Sequence, residues 1–199
     1  MSTPARSNRP LVIIAAFTGS LIVGLLVVLW SVGALQGVPQ PSSIGGAFQM
    51  TNQAGQPVSD QSIKGKPTLI FFGFTRCPDV CPTTLFELSQ VLGAMGKDAD
   101  RVNAYFVSVD PERDTPASMK DYLSSFDPHL TGLVGTPEQT QQIEKAYRVF
   151  ARKVPLKDGD YTMDHTALVY LMDKNGRFVS PFDVKRKPEE AAADLKRYL

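Results

Sequence analysis

Cys77 and Cys81 are the only cysteines in this 199-residue chain. They stand four apart in Phe72-Gly73-Phe74-Thr75-Arg76-Cys77-Pro78-Asp79-Val80-Cys81-Pro82-Thr83-Thr84-Leu85, where an apolar run gives way to a helical pattern. A thiol at a helix N-terminus feels the positive end of the dipole, so its thiolate is favoured and its reactivity raised. The spacing lets both sulfurs face one point. It also permits a disulfide, because four residues along a helical turn span about 6 Å between Cα atoms. An inert bridge is the plain alternative, but closing a loop of about five residues adds little chain-entropy stabilisation. Pro78 and Pro82 fix the loop that presents the thiols, Pro82 within the first helical turn.

The chain has two histidines. His165, in Thr162-Met163-Asp164-His165-Thr166, precedes a strand-like run and is the other candidate ligand; a hydrogen-bonded surface histidine is the competing reading. His129, in Asp127-Pro128-His129, reads as an ordinary loop residue. Asp79, Asp110 and Asp114 read as capping or turn residues, whereas Asp164 is placed to orient the neighbouring imidazole. Met163 could offer a thioether, although methionine more often fills a core.

The elements that must position these groups alternate between strand and helix. Phe48–Asn52 and Val58 flank the turn Gln53-Ala54-Gly55-Gln56 and predict a hairpin. Thr68–Phe74 is a continuous apolar run that suits a strand buried on both faces. Thr84–Met95 carries Leu85, Leu88, Val91, Leu92 and Met95 at helical spacing, and Val102–Val109 is another strand. Thr115-Pro116 and Thr136-Pro137 are helix starts, the second helix running to Phe150. Thr166–Met172 and Arg177–Phe182 form a late hairpin around Asp173-Lys174-Asn175-Gly176, and Pro188–Leu199 is a closing helix. Right-handed crossovers make the first two long strands parallel, and the late hairpin adds antiparallel edges. The expected architecture is an α/β fold, a thioredoxin-like mixed sheet with helices on both faces and an N-terminal β-hairpin. In such a sheet the loop before the late hairpin lies beside the cysteine turn, which brings His165 towards the thiols.

Charge is unevenly spread. Before Asp60 there is no acidic residue, and the only basic ones are Arg6 and Arg9. Leu11–Leu35 is free of charge, long enough as a helix of roughly 35 Å to cross a hydrocarbon core of about 30 Å. The two arginines before it leave residues 1–10 in the cytoplasm and export the rest. A cleaved signal peptide is the alternative, but its apolar region is shorter and ends at an Ala-x-Ala site, which is missing here. Residues 36–46, rich in Pro, Gly and Ser, read as a linker, and 47–199 as the folded domain. A bacterial inner membrane with the domain in the periplasm fits this order, and exported thiols there meet oxidising conditions. The net charge of +1 gives no sign of a nucleic-acid partner. With two cysteines and two histidines, a disulfide-dense scaffold is excluded, and a structural zinc site or a cluster of several metals would need other donors.

CPDVCPT after a strand, Asp110-Pro111-Glu112-Arg113-Asp114-Thr115 after the next, Gly132-Leu133-Val134-Gly135, and Asp164-His165 before Tyr170-Leu171 together resemble the Sco/SenC family of copper chaperones. The resemblance runs from about Gly46 to the C-terminus. It implies a thioredoxin-like fold, one copper ion held by Cys77, Cys81 and His165, and delivery of that copper to the CuA centre of cytochrome c oxidase. Its copper-bearing subunit would be the partner, with a periplasmic copper donor and a thiol reductant upstream. Arg76 stands where many members carry a further histidine, which alters the local field and removes no ligand.

Two thiolates and an imidazole make a soft donor set suited to Cu(I), and three donors leave the ion exposed enough to be passed on. Protons compete for the sulfurs, so affinity falls with pH. The oxidised pair cannot ligate, which couples loading to thiol–disulfide exchange. The rival reading is therefore an enzyme, a membrane-tethered thiol–disulfide oxidoreductase with Cys77 and Cys81 as its catalytic pair. Against it stands the three-residue spacer, since the familiar redox motif is Cys-x-x-Cys. No peroxidase signature is evident. The readings part at His165, which a reductase does not need.

Overall fold

The computed structural model describes residues 18–30, 44–157 and 159–199. The chain divides into two units, 1–41 and 42–199, each described by itself. In the first, helix α1 covers 18–30 with its side chains exposed. Among the described residues no helix is long and apolar enough to cross a membrane. The expected segment 1–10, both ends of the span 11–35 and most of the linker 36–46 lie outside the described residues.

The second unit contains a seven-stranded mixed sheet. Its strands are β1 (Gln49–Asn52), β2 (Pro57–Ser59), β3 (Thr68–Gly73), β4 (Asn103–Ser108), β5 (Leu130–Val134), β8 (Val169–Met172) and β9 (Phe178–Pro181). They lie in the order β2-β1-β5-β4-β3-β8-β9. The helices are α2 (Val80–Met95), α3 (Pro116–Leu123), α4 (Pro137–Tyr147) and α5 (Pro188–Lys196). Strands β3, β4 and β5 run parallel, while β1 pairs antiparallel to β5, and β8 antiparallel to β3. A second sheet holds only β6 (Ala151–Pro155) and β7 (Tyr161–His165).

All six residues of β3 are buried, as expected of a central strand covered on both faces. Successive side chains there point to opposite layers. Phe71 meets Phe106 of β4, which in turn meets Tyr122 of α3. Phe72 points the other way, against Tyr147 of α4 and Tyr170 of β8. Helix α2 shares the Phe71 layer and packs against α5. The helices thus cover both faces of the sheet in the thioredoxin-like manner. Thr115 and Thr136 both form capping boxes ahead of a proline, with Ser118 and Gln139 as the reciprocal partners. Each such cap is worth about 1 kcal/mol.

Four expectations need correction. Strand β5 lies between α3 and α4, where no strand was expected; its Gly132 interrupts the apolar pattern because an added Cβ would collide with Met119. Helix α4 ends at Tyr147, short of Phe150, because Arg148 turns left-handed (φ 55°). β8 begins at Val169 and sits inside the sheet, paired to β3, so that of the late hairpin β9 alone lies at an edge. Finally, His165 belongs to β7 of the separate two-stranded sheet, not to a loop.

Candidate metal centre

The cysteine turn begins where β3 leaves the core. Gly73 ends that strand, and a Cβ there would lie 2.7 Å from Cys81 Sγ and 2.6 Å from Phe106 Cε2. The glycine is therefore the space that the second sulfur fills. Helix α2 starts at Val80, so Cys81 and Pro82 are both in its first turn. Proline is tolerated there because the early amides have no intrahelical acceptor. Asp79 holds the cap position but makes no side-chain cap. The sulfur of Cys77 takes that place and accepts the Cys81 amide at 3.4 Å.

The two sulfurs are free thiols in unlike surroundings. Cys81 is fully buried, whereas Cys77 keeps 9% of its surface. The Cys77 thiol is held down to about 4, chiefly by the hydrogen bond that Cys81 donates to it, with His165 and the amides of Asp79 and Cys81 adding to the effect against burial. Cys81 is pushed up by that same pairing with Cys77 and by burial. At neutral pH the pair is one thiolate and one thiol sharing a proton.

His165 completes the cluster from 84 residues further on, its Nε2 lying 3.5 Å from Cys81 Sγ. Its ring meets Phe74 edge-on at 5.8 Å and Phe71 at 6.5 Å. Nδ1 lies 3.1 Å from the Thr166 carbonyl, which suits donation to that oxygen and turns Nε2 towards the sulfurs. Burial pulls the imidazole down, but the Cys77 side chain and the Thr166 carbonyl outweigh it, and the ring stays above its ordinary value. The ligand atoms of Cys77, Cys81 and His165 all lie within 4.8 Å of one another, so a single metal ion could bridge them.

The carboxylates divide differently from the sequence reading. Asp164 does not orient the imidazole; it points to the other side of β7 and pairs with Arg152 at 3.2 Å. Asp110 opens a turn, its carbonyl accepting the Arg113 and Asp114 amides, and both Asp110 and Asp114 are buried. Asp114 accepts from the Ser108 hydroxyl at 2.5 Å and from the Thr75 hydroxyl at 2.6 Å, and so ties the cysteine turn to the end of β4. Burial holds its carboxyl above the usual range. His129 remains apart, bonded to Asp127 at 2.7 Å and Asp100 at 3.2 Å. Met163 is half-buried against the core.

Fold and site together define a thioredoxin-like protein whose cysteine turn has been joined by a histidine into a group that could hold a metal ion. Over residues 36–199 the chain matches the SCO1/SenC family model, and it belongs to that family. It is 36% identical over 155 residues to a SCO2-like protein of Rickettsia conorii, covering 77% of this chain and 76% of that protein. It is 37% identical over 159 residues to the mitochondrial SCO1 homolog of Homo sapiens, covering 78% of this chain and 53% of that one. Among solved structures it resembles ScoI of Bradyrhizobium japonicum, described with copper bound, at 74% identity and a TM-score of 0.77, over 78% of this chain and 99% of that one.

Proposed function

We propose that this protein is a copper chaperone that holds one Cu(I) through Cys77, Cys81 and His165 and delivers it to the copper-bearing subunit of cytochrome c oxidase. The observation that carries the reading is the convergence of two sulfurs and one imidazole nitrogen within 4.8 Å. The close likeness to a ScoI described with copper bound supports it. So does the chemistry of the donors: soft sulfur and imidazole suit Cu(I), and the low Cys77 pKa supplies one thiolate before the metal arrives. Copper is cargo here, and a three-donor site leaves one side of the ion open to an incoming ligand.

Further parts of the reading rest on the N-terminal sequence. The uncharged run Leu11–Leu35 is a single membrane span, helical through 18–30, with Arg6 and Arg9 on its cytoplasmic side. The linker 36–46 then leads to the domain from 47 onwards in the periplasm of a bacterial inner membrane. A periplasmic donor supplies the copper, and a thiol reductant keeps the pair open. A second reading, a tethered thiol–disulfide reductase using Cys77 and Cys81, is favoured by one observation: a thiolate paired with a thiol is also the starting state for disulfide exchange.

Anaerobic titration of the reduced full-length protein with Cu(I), against a competing chelator, tests the chaperone reading. Wild type takes up one ion per chain. His165→Ala weakens binding by about 10–100-fold with an unchanged melting temperature. Equal affinity in wild type and variant removes the imidazole from the site and leaves the reductase reading standing.

A further inference from the structure

The strand that carries His165 has no backbone ladder to the main sheet. Strands β6 and β7 pair only with each other. Near its end, the arm is tied by the Phe150 amide, which donates to the Thr166 hydroxyl at 3.0 Å, and by the Thr166 amide, which donates to the Phe150 carbonyl at 2.9 Å. Both of these bonds join the arm to itself, across its own base. Something else must fix its distance from the cysteine turn.

That attachment is found at Tyr161, the first residue of β7. Arg113 Nη1 donates to the Tyr161 carbonyl at 2.7 Å and to Asp160 Oδ1 at 3.0 Å. Its guanidinium carbon lies 3.6 Å from the centre of the Tyr161 ring. The Tyr161 hydroxyl donates to Asp110 Oδ1 at 2.8 Å, and Arg113 Nε donates to Asp110 Oδ2 at 2.5 Å. The three side chains form a closed clamp: carboxylate to guanidinium, guanidinium on ring, ring hydroxyl back to carboxylate.

The loop that supplies this clamp also holds the cysteine turn. Asp114 follows Arg113 directly, and its carboxylate accepts the Thr75 hydroxyl and amide, two residues before Cys77. The Asp110 carbonyl accepts the Asp114 and Arg113 amides, which makes the loop one rigid piece. Both halves of the metal-ligand set therefore hang from residues 110–114. Phe74 lies between them, with the Arg113 guanidinium 6.0 Å from its ring centre and the His165 ring at 5.8 Å. Tyr161 and His165 are four apart on one strand, on the same face and about 13 Å from each other. A grip on Tyr161 thus sets where His165 arrives.

The chemistry of Arg113 marks this grip as more than packing. Its side chain is 10% exposed and that of Asp110 fully buried. Burying an ion pair costs desolvation that an apolar pair of equal size would avoid, whereas a planar fork gives directional bonds that an apolar pair cannot. Nη2 is also buried, without a hydrogen-bond partner among the described residues.

We propose that Arg113, with Asp110 and Tyr161, is the positioning device that holds the His165 arm over the sulfur pair, and so sets the third bond to the metal. The proposal rests on the copper-binding reading above. Its test is a set of cycles in the reduced full-length protein, titrated anaerobically with Cu(I) against a chelator. Arg113→Lys keeps the charge and loses the fork; Tyr161→Phe keeps the ring and loses the bond to Asp110. Each is made alone and in the His165→Ala background. Arg113→Lys weakens binding by about 10-fold and Tyr161→Phe by about 3-fold when His165 is present, and neither changes affinity when it is absent. X-ray absorption of copper-loaded Arg113→Lys shows a reduced nitrogen contribution beside unchanged sulfur. Unchanged affinity in both single variants, or equal losses in the two backgrounds, overturns the proposal while wild-type binding stands. Should Arg113→Lys lose its circular dichroism, the Tyr161→Phe cycle decides by the same criterion. Absence of copper uptake by wild type itself overturns the copper reading instead.

Discussion

Cys77 and Cys81 share one proton unequally, and the inequality has a chemical readout. With its pKa held near 4, Cys77 is a thiolate across the neutral range, while Cys81 stays protonated behind it. Iodoacetamide therefore modifies Cys77 at about pH 6 at least ~10-fold faster than Cys81, and the rate falls as pH drops through about 4. Peptide mass spectrometry of the folded, metal-free protein reads both; equal labelling of the two sites contradicts the assignment. The cysteines were legible as a reactive pair because a strand-to-helix turn announces itself in the sequence. The support of His165 was not. Asp164 is its neighbour in sequence, but adjacent residues of a strand face opposite ways, so that carboxylate reaches Arg152 on β6 and the Thr166 carbonyl takes the ring instead. Asp110 and Asp114 were read only as capping or turn residues for a related reason: a lone carboxylate in a loop carries no mark of the hydroxyls and guanidinium that will bury it.

Elements with strong local grammar were legible, and those fixed by distant contacts were not. Thr115-Pro116 and Thr136-Pro137 carry their own caps, and the apolar run of β3 needs no context. By contrast β6 (ARKVP) and β7 (YTMDH) are short, mix charged with apolar residues and contain no fully buried position, so they carry no strong strand signal. Helix α4 stops at an arginine in a left-handed conformation, a position where glycine would have given the signal. The end of β3 illustrates how tightly an element can depend on one residue. Gly73→Ala places a methyl group against Phe106 and the Cys81 sulfur, both fully buried. Such overpacking costs about 1–3 kcal/mol. Thermal unfolding should show a melting temperature lower by several degrees, and Cu(I) affinity should fall as the sulfur is displaced; a variant as stable as wild type would mean that the strand end yields freely.

For the whole domain, the thioredoxin-like sheet was visible in the order of elements, and its exact strand count was not. One of its partly buried groups sets a pH dependence. Burial raises Glu144 of α4 from 4.5 to about 7. The folded state prefers the neutral acid, so this contribution to stability is fully present below the unfolded value of 4.5 and is lost as pH rises to about 7. Glu144→Gln should therefore raise the melting temperature at about pH 8 by 2–4 °C, corresponding to ~1 kcal/mol after allowance for its partial exposure, and leave it unchanged at about pH 4. A stabilisation of the same size at both values would exclude ionisation as its source. The sheet order has a consequence for biosynthesis. Strand β3, inside the sheet, takes one neighbour from β4 and the other from β8, which begins at Val169. Synthesis must therefore have passed Val169–Met172 before β3 can acquire its second partner, and until then the nascent chain carries a bare, greasy strand edge of the kind that invites aggregation.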